Sequence, residues 1–476
     1  MGSPGLRARS ATGVHHETVA PRRSSGRRMG SLMNGRMSTR QLAPWPEAYL
    51  RRFVPKERYR FVALTWGTRG DVQPFVALGA ELTRRGHGVT IAARAGFKAF
   101  IEQHGLAFHA LEEDGTDQLM QELASSSGGM AGVKLFLKWQ RRLIGPQFQQ
   151  FWEASGAADV LISNAAYTLP ALHVAERRGL PIVQAFFDPV FLATRSYGLF
   201  DEHIQDRGGW INLLSTRLRN MAGAALTADI VGGWRRRQGL SWLRLGELHE
   251  PGLVFKMPVL AAWSTALLPR PGDWPERVVQ TGRWHWPVEE QVSSPLRQFM
   301  EAGPAPVYIG FGSWGTHDKT AVTELILEAL ERTGDRGILH RNTVDGRSTF
   351  PEHVYVDDNL PHEWLFPQVK AVVHHGGAGT TGAVATAGVP SVIIPAFFGQ
   401  VPWGGLVRQQ GVGTMLARGE LSASSLAQAL REVSQPHVRE RARQLGQRAK
   451  AEGGVTQAAD EIERRLEEAR PPQGPT

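Results

Sequence analysis

The chain has 476 residues, of which 42% are hydrophobic and 21% are charged, and it contains no cysteine. This composition is typical of a folded globular protein, and it excludes a disulfide framework, a cysteine nucleophile and a cysteine-ligated zinc site. The net charge of +9 is concentrated at one end: residues 1–60 carry 13 Lys or Arg against 3 Asp or Glu, whereas the rest of the chain carries 41 against 42. A nearly neutral body excludes a broad phosphate-binding face, so we expect no nucleic-acid partner.

Residues 1–58 are rich in Arg, Ser, Gly and Met and show no periodic apolar pattern, which predicts a disordered basic tail. A mis-annotated leader, with the true start at Met29, Met33 or Met37, is an equally good alternative, and a transit peptide is a third. No apolar run approaches the roughly 20 residues of a membrane-spanning helix. Together with the absence of cysteine, this favours a cytoplasmic protein that makes at most peripheral membrane contact.

The first folded segment begins at Arg60 with "RFVALTWGTRGDVQPFVALGAELTRRGHGVTIAA". This pattern predicts a strand, a glycine-bearing turn, an amphipathic helix that ends at Gly86 and a second strand. A helix near 97–104, a strand near 106–111 and the buried strands "ADVLISN" and "LPIVQAFF" continue the alternation. Such a series predicts a parallel sheet covered by helices on both faces. We assign residues 59–275 to this domain and a Pro- and Trp-rich stretch, 276–295, to a linker.

A second alternating series follows, with "APVYIGFGS", a helix over 319–333, "GILHR", "HVYVD", "KAVVHHGG" and "PSVIIPAF". It predicts a second parallel-sheet domain over 296–455, followed by a terminal helix and tail at 456–476. Open α/β sheets bind ligands beyond the carboxyl ends of their strands. Two such domains that face each other therefore predict a ligand-binding cleft between them.

A glycine-rich turn follows the strand in "AVVHHGGAGTTGAVATAGVP" and leads into a helix of small residues. Gly376, Gly377 and Gly379 permit close approach of a ligand to the backbone, and the N-terminus of the helix favours a diphosphate against Gly379, Thr380 and Thr381. His375 could add a hydrogen bond or a positive charge. The alternative is a tight turn with capping threonines. A second turn, "GFGSWGT", offers Ser313 at another strand end of the same domain.

On the first domain, the turn "TWGTRGDVQP" places Asp71 at the expected edge of the cleft. A carboxylate at that edge could take the proton of an attacking hydroxyl group. The turn alone favours the alternative that Asp71 caps the following helix. Arg69 could pair with Asp71 or steady the same turn, and Asn164, after "ADVLIS", is a further polar candidate on the acceptor side.

The segment "LPHEWLFPQVKAVVHHGGAGTTGAVATAGVPSVIIPAFFGQVPWGGLV" resembles the donor-binding signature of family 1 glycosyltransferases. The similarity is to the bacterial and fungal branch that includes sterol glucosyltransferases and enzymes that decorate glycopeptide and macrolide antibiotics. "GTRGDVQPFVALGAELTRRGH" is similar to the opening motif of that branch.

This resemblance implies the GT-B fold, in which two Rossmann-like parallel-sheet domains face each other across a cleft. It also implies an inverting transfer from a UDP- or dTDP-sugar to a hydroxyl of a hydrophobic small-molecule acceptor, without a metal ion or a cofactor. Asp71 then matches the base, and Trp364 and Leu365 match the residues that pack the nucleotide base. The residues that match diphosphate contacts are Ser313, His375, Gly377, Gly379 and Thr380.

One departure concerns the sugar. Where the family reads "FGDQPFWG", this chain reads "FGQVPWG". A one-residue deletion, which restores the register at Val407, keeps Gln400 as a sugar contact and leaves the Asp missing, whereas an ungapped alignment loses both contacts. Either way, glucose and deoxygenated or otherwise modified sugars remain open.

The Trp-rich region 139–286 lies where the family builds its acceptor pocket, although a core role is the alternative for any single Trp. The basic run 234–245 is either a solvated helix face or a contact with a membrane surface.

Two rival functions use the same scaffold: a ligand-binding relative without transfer activity, and a sugar-nucleotide epimerase. Retention of Asp71 and His375 argues against the first, and the apolar, Trp-rich first domain argues against the second. A nicotinamide oxidoreductase is disfavoured because "GTRGD" lacks the dinucleotide fingerprint.

Overall fold

Two parallel sheets organise the chain in the computed structural model. The structure describes residues 46–112, 129–164, 168–200, 203–241, 258–286, 292–312, 318–396 and 398–469, with a few isolated residues between 113 and 128. Ser313 lies outside this part of the chain, and so does the predicted basic tail at 1–58 except for residues 46–58. Residues 43–476 form one compact unit, to which both sheets belong.

The first sheet has seven strands within the described residues, and every neighbouring pair is parallel, in the spatial order β3-β2-β1-β4-β5-β8-β9. Its strands are β1 (Arg60–Leu64), β2 (Gly88–Arg94), β3 (Ala107–Leu111), β4 (Val160–Asn164), β5 (Ile182–Phe186), β8 (Val259–Ala261) and β9 (Val278–Gln280), and the hairpin of β6 (Gly198–Phe200) and β7 (His203–Gln205) stands apart. The helices of this half are α1 (Arg69–Arg84), α2 (Lys98–Glu102), α3 (Gly129–Ala154), α4 (Thr168–Arg178), α5 (Gly209–Ala225) and α6 (Ala228–Arg237).

The second sheet has six parallel strands in the same part of the chain, in the order β12-β11-β10-β13-β14-β15. The strands are β10 (Val307–Gly310), β11 (Gly337–His340), β12 (Val354–Asp357), β13 (Ala371–His374), β14 (Ser391–Ile393) and β15 (Gly413–Met415). The helices are α7 (Ser294–Glu301), α8 (Lys319–Thr333), α9 (His362–Leu365), α10 (Ala378–Ala387), α11 (Val401–Gln409), α12 (Ala423–Val433), α13 (Pro436–Lys450) and α14 (Gly454–Glu468).

In each sheet the strand order changes direction next to the strand that comes first in the chain. The candidate site lies at these two positions. In the first sheet the reversal lies between β1 and β4, and in the second it lies between β10 and β13. A crevice opens at the carboxyl ends of the strands wherever such a reversal occurs. Asp71 follows β1 and Asn164 ends β4, while Gly312 and His375 follow β10 and β13. The two predicted parallel-sheet domains are therefore confirmed, with the motifs at their switch points.

The predicted linker at 276–295 is wrong in part, because β9 lies within it and pairs with β8 as the last strand of the first sheet. Three residues between prolines and tryptophans are too short to show a strand pattern. Most of the neighbouring tryptophans are core residues: Trp263, Trp274 and Trp284 are all buried.

The basic run 234–245 starts inside the core. The Trp234 ring stacks on Phe148 with centroids 4.5 Å apart, and the buried Arg235 guanidinium pairs with Glu176 at 2.5 Å. These two residues therefore do not contribute to a membrane-contacting face; residues 242–245 lie outside the described residues.

The last helix crosses back to the first domain. Along one face of α14, Val455, Ala458, Ile462 and Leu466 are buried in the same core as β1 and α1. Arg85, after α1, contacts the carboxylates of Asp460 at 2.7 Å and Glu463 at 2.6 Å. This helix ties the two domains together beside the linker.

Candidate functional site

Two glycine-rich turns enclose the imidazole of His375. A Cβ atom on Gly312 would lie 2.9 Å from the ring Cε1 of His375, and one on Gly377 would lie 2.6 Å from its Nε2. Gly312 also has a φ of 63°, which favours glycine. Glycine at these positions makes room for the ring between the turns after β10 and β13.

His375 is held in its neutral form in this structure. Burial lowers the pKa of His375 to about 4. Its Nδ1 is buried and has no hydrogen-bond partner among the residues that the structure describes. A neutral imidazole offers a ligand a hydrogen bond but no positive charge.

The N-terminus of α10 presents backbone N–H groups without a capping side chain. Gly377 is the N-cap residue and no side chain caps the helix. The hydroxyl of Thr381 donates to the Gly377 carbonyl at 2.9 Å, so it is not a cap of the N–H groups. A Cβ on Gly379 would meet no atom within 4 Å. Gly377, Gly379 and the half-buried Thr380 thus line an open helix terminus of the type that binds anions.

The predicted nucleotide-base residues lie on α9, next to α10. Trp364 is partly exposed, and the Arg297 guanidinium lies 5.4 Å from the centroid of its ring. Leu365 is fully buried in the core with Tyr308 and Phe366, so only its backbone is available to a ligand. The partly exposed ring of Trp364 is accessible to a nucleotide base, whereas a side-chain contact by Leu365 would require repacking of the core.

Asp71 lies in the first turn of α1, within a reciprocal set of hydrogen bonds. Its Oδ2 accepts from the backbone N of Thr68 at 2.8 Å and from the Thr68 hydroxyl at 3.0 Å. The N-cap residue is Thr68 and not Asp71. Asp71 does take part in capping the helix, as the alternative predicted, but from the third position of the helix. The bonds hold the carboxylate at the carboxyl end of β1, which is where a base is required.

The other acceptor-side candidates lie at the same sheet edge. The Arg69 guanidinium donates to Gln73 at 3.3 Å and lies 4.7 Å from the Phe100 ring centroid. Asn164 is 1% exposed, and neither polar atom of its amide has a hydrogen-bond partner among the described residues. A buried amide without partners at a switch point fits a polar group that faces a ligand site.

The sequence motifs did not indicate Asp188, which lies two residues beyond β5. Its Oδ1 accepts a hydrogen bond of 2.6 Å from the indole Nε1 of Trp403, on α11 of the other domain. Burial, and to a smaller extent the charge of Asp71, raise the pKa of Asp188 to about 6, against the effect of the Trp403 bond. The signal available in the sequence was an Asp directly after the buried strand "LPIVQAFF".

Gln400 lies at the N-terminus of α11 and packs against the glycine-rich turn after β13, which is the predicted diphosphate turn. Its Oε1 accepts from the backbone N of Ala396 at 2.7 Å, and its backbone oxygen would lie 3.1 Å from a Cβ on Gly376. Contacts therefore run from the turn at His375 through Gln400 and Trp403 to Asp188 on the first domain.

Two further properties concern the part of the chain that the structure describes. Its His, Asp and Glu side chains form no group of three or more that could hold a metal ion. None of its helices combines the length and the apolar character that a membrane crossing needs.

Family comparisons agree with this geometry in both halves. Residues 61–195 match the glycosyltransferase family 28 N-terminal domain, and residues 324–467 match the erythromycin biosynthesis protein CIII-like C-terminal domain. The sterol 3-beta-glucosyltransferase of Komagataella phaffii is 33% identical over 422 residues, which are 85% of this chain and 34% of that protein. The enzyme of the same name from Eremothecium gossypii is 34% identical over 433 residues, covering 86% of this chain and 34% of the relative. The chain thus spans about a third of the length of these curated relatives.

Among solved structures, the calicheamicin glycosyltransferase CalG4 superposes with a TM-score of 0.67 at 19% identity, covering 87% of this chain and all of that one. The spinosyn rhamnosyltransferase SpnG bound to spinosyn aglycone gives a TM-score of 0.60 at 15% identity, over 85% of this chain and 100% of the other. At these identities the likeness shows the fold.

Proposed function

Because this chain belongs to the family 1 glycosyltransferases with the GT-B fold, we propose that it transfers a hexose or deoxyhexose from a nucleoside diphosphate sugar to a hydroxyl group of a lipophilic acceptor. The observation that carries this proposal is the apposition of two half-sites. An uncapped helix terminus with a neutral His375 lies on one domain, and the carboxylates of Asp71 and Asp188 lie on the other.

In the proposed reaction the acceptor oxygen attacks the anomeric carbon of the sugar from the face opposite the diphosphate. The new bond joins the acceptor oxygen to that carbon, the bond from the carbon to the diphosphate oxygen breaks, and the configuration inverts. Asp71 accepts the proton of the acceptor hydroxyl as the oxygen attacks. Its fixed position next to Thr68 orients the carboxylate before the substrate arrives.

The leaving diphosphate carries negative charge that the site must stabilise. The open N–H groups at the start of α10 and the positive end of the helix dipole are suited to this task. His375 adds a neutral hydrogen-bond donor once its ring carries the proton on the nitrogen that faces the phosphate. Such a site supplies its stabilisation from backbone and imidazole groups, in keeping with a transfer that uses no metal ion.

The proposal that the acceptor is lipophilic is supported by α5 on the first domain, a helix whose polar face is buried and whose apolar face is exposed. The polar side chains of Asn212, Thr216 and Asn220 on α5 are buried against the protein. The opposite face is apolar and exposed, with Trp210 at 69% and Leu218 at 55% exposure. The other large apolar side chains exposed on this face and in the following turn are Ile211, Leu214, Met221 and Leu226.

A lipid surface is the partner that we propose for this face. An apolar stripe on α5 that turns away from its own core requires an apolar partner. The helix has two arginines and no acidic residue, and the exposed Arg195 and Arg207 flank its N-terminal end, which suits an anionic bilayer. A peripheral contact of this kind would bring the acceptor domain to the phase in which a lipophilic acceptor dissolves.

The experiment for the proposed function is a binding and transfer screen. We expect one or more UDP- or dTDP-sugars to raise the Tm of the purified protein, because a ligand at 100 times its Kd adds about 2.7 kcal/mol of stability. The same donors, incubated with sterol and macrolide aglycones, are expected to give glycosylated products that mass spectrometry detects. Binding without any product would favour the non-catalytic relative, and a changed sugar without an acceptor would favour the epimerase.

A further inference from the structure

Asp188 connects the two domains at the site. It follows the carboxyl end of β5, in the sheet that carries Asp71, and its Oδ1 accepts a hydrogen bond of 2.6 Å from Trp403 on α11. The indole ring that donates this bond is almost completely buried. A donor to a carboxylate at this distance fixes the carboxylate in one orientation.

The second oxygen of Asp188 is left for another group. Among the described residues, Oδ2 of Asp188 has no hydrogen-bond partner, and it is not one of the polar atoms sealed from solvent. The side chain is partly exposed. One oxygen is thus held by the protein while the other remains accessible.

The segment that carries the predicted diphosphate turn and Gln400 has no carboxylate. Between Glu363 and Glu420 the sequence contains no acidic residue, although β13, β14, α10 and α11 all come from this stretch. Gln400 uses its Oε1 on the backbone N of Ala396, so the polar group that it can still offer is an N–H donor. A sugar hydroxyl that needs a carboxylate acceptor finds none in this stretch of the sequence.

We infer that Asp188 is a specificity-determining residue for the donor sugar: its Oδ1 holds Trp403, and its Oδ2 accepts a hydrogen bond from a sugar hydroxyl. The inference rests on the proposed function and adds a substrate contact to it. The first domain thereby contributes both the base, Asp71, and the group that distinguishes a hydroxylated sugar from one that lacks the hydroxyl. A carboxylate with one oxygen already held by the protein is well suited to that distinction, because a ligand without the hydroxyl leaves the other oxygen unpaired in the bound state.

The surroundings of Asp188 agree with such a contact. Burial, followed by the nearby charge of Asp71, raises the pKa of Asp188 to about 6, while the bond from Trp403 opposes the shift. A second hydrogen-bond donor on Oδ2 would stabilise the carboxylate in its charged form. A donor sugar bound next to Trp403 provides such a group.

The test compares Asp188→Asn with wild-type protein by calorimetry. The probes are UDP-glucose and dTDP-glucose, each paired with the free diphosphate UDP or dTDP. We expect Asp188→Asn to weaken binding of the nucleotide sugar by about tenfold to a hundredfold, the loss of a hydrogen bond to a charged group. Binding of the free diphosphate is expected to change less than about twofold. Asp229→Asn is the matched control, because it removes a carboxylate of the same domain from an exposed pair with Arg141.

Trp403→Phe is the second variant, because it releases Oδ1 and keeps the carboxylate. We expect it to weaken sugar binding less than Asp188→Asn and to preserve the binding of the free diphosphate.

Equal affinities of Asp188→Asn and wild type for the nucleotide sugar overturn the inference, as does a parallel loss for sugar and free diphosphate. A fall in kcat with unchanged sugar affinity also overturns it, since Asp188 would then act on the acceptor proton. If wild type binds neither the nucleotide sugars nor the free diphosphates, the proposed function fails together with the inference, whereas wild-type sugar binding that Asp188→Asn retains removes the inference alone.

Discussion

Thr68 and Asp71 form a reciprocal pair at the start of α1: the Asp71 Oδ2 accepts from the backbone N and the hydroxyl of Thr68 at 2.8 and 3.0 Å, and the Asp71 backbone N donates to the Thr68 carbonyl at 3.0 Å. The pair serves local structure and chemistry together. Because the carboxylate completes the first turn of a helix, its position is fixed before any substrate binds. The proposed base is therefore also a structural residue, and tests of its role must separate the two effects.

We predict that Asp71→Asn lowers kcat by about 10²- to 10⁴-fold and leaves donor affinity unchanged, because the amide cannot accept the acceptor proton. Stopped assays for kcat and calorimetry with the nucleotide sugar measure the two quantities. Thr68→Ala controls for the helix terminus, since it removes the hydroxyl bond and should lower stability by about 1 kcal/mol with a smaller fall in kcat. Turnover of Asp71→Asn at the wild-type rate would refute the base assignment.

Much of the fold was predictable because its signals are local. The helix over 319–333 matches α8 residue for residue, because Asp318 caps its start through a 2.8 Å bond to the Ala321 backbone N and Gly334 ends it at a φ of 67°. Strands β10 and β13 are buried on both faces, so their continuous apolar runs stand out.

The residues that escaped prediction depend on contacts between distant parts of the chain. Asp188 acquires its place in the site only when Trp403, more than 200 residues later, reaches it across the cleft. The sequence of α14 shows one apolar face but not that its partner is α1 of the first domain. Likewise, α5 buries its polar side. An amphipathic pattern usually predicts that the apolar side faces the core, so the pattern alone predicts the opposite orientation of this helix.

Glycines 377 and 379 offer a matched pair of variants around the diphosphate site. A methyl group at Gly377 would lie 2.6 Å from the His375 ring, whereas one at Gly379 would point into open space. We predict that Gly377→Ala displaces His375 and lowers both stability and donor affinity. We expect Gly379→Ala to keep or raise the Tm, as alanine favours a helix by up to about 1 kcal/mol, and yet to weaken donor binding at least tenfold.

The expected difference between the two variants lies in stability, which thermal unfolding reports, while calorimetry with UDP or dTDP reports binding. If Gly379→Ala binds the free diphosphate as tightly as wild type, the diphosphate does not occupy the space in front of this residue.

The buried histidines of the second domain predict a fall in stability on acidification. Burial lowers the pKa of His375 to about 4, and burial is also the main cause that lowers the pKa of His362 to about 4. The unfolded chain takes up these protons near a pKa of about 6.5, so between pH 6.5 and 4 the unfolded state binds more protons than the folded one. The free energy of unfolding therefore decreases as the pH falls through this window, by up to about 1.4 kcal/mol per pH unit for each histidine.

Urea unfolding at half-unit steps from pH 7 to 4.5 measures this slope. His375→Gln should make the dependence shallower, because the glutamine has no proton to gain. His437→Gln, at an exposed position on α13, should leave the slope unchanged. An equal slope in His375→Gln and wild type would mean that His375 is not held neutral by burial.

The exposed face of α5 predicts binding to anionic membranes. Trp210 and Leu218 are the two most exposed large apolar side chains on the helix, and replacing both by serine should abolish most cosedimentation with vesicles that contain phosphatidylserine. The folded state should not suffer, because neither side chain is buried in it. Val54→Ser is the control, since Val54 is also apolar and 62% exposed but is not part of α5. Vesicle binding that survives in the double variant would contradict a membrane contact made by this face. An affinity for vesicles that does not depend on salt would contradict a contribution from its basic flank. If the wild-type protein is a dimer that dissociates in the double variant, the partner of this face is a second copy of the chain instead.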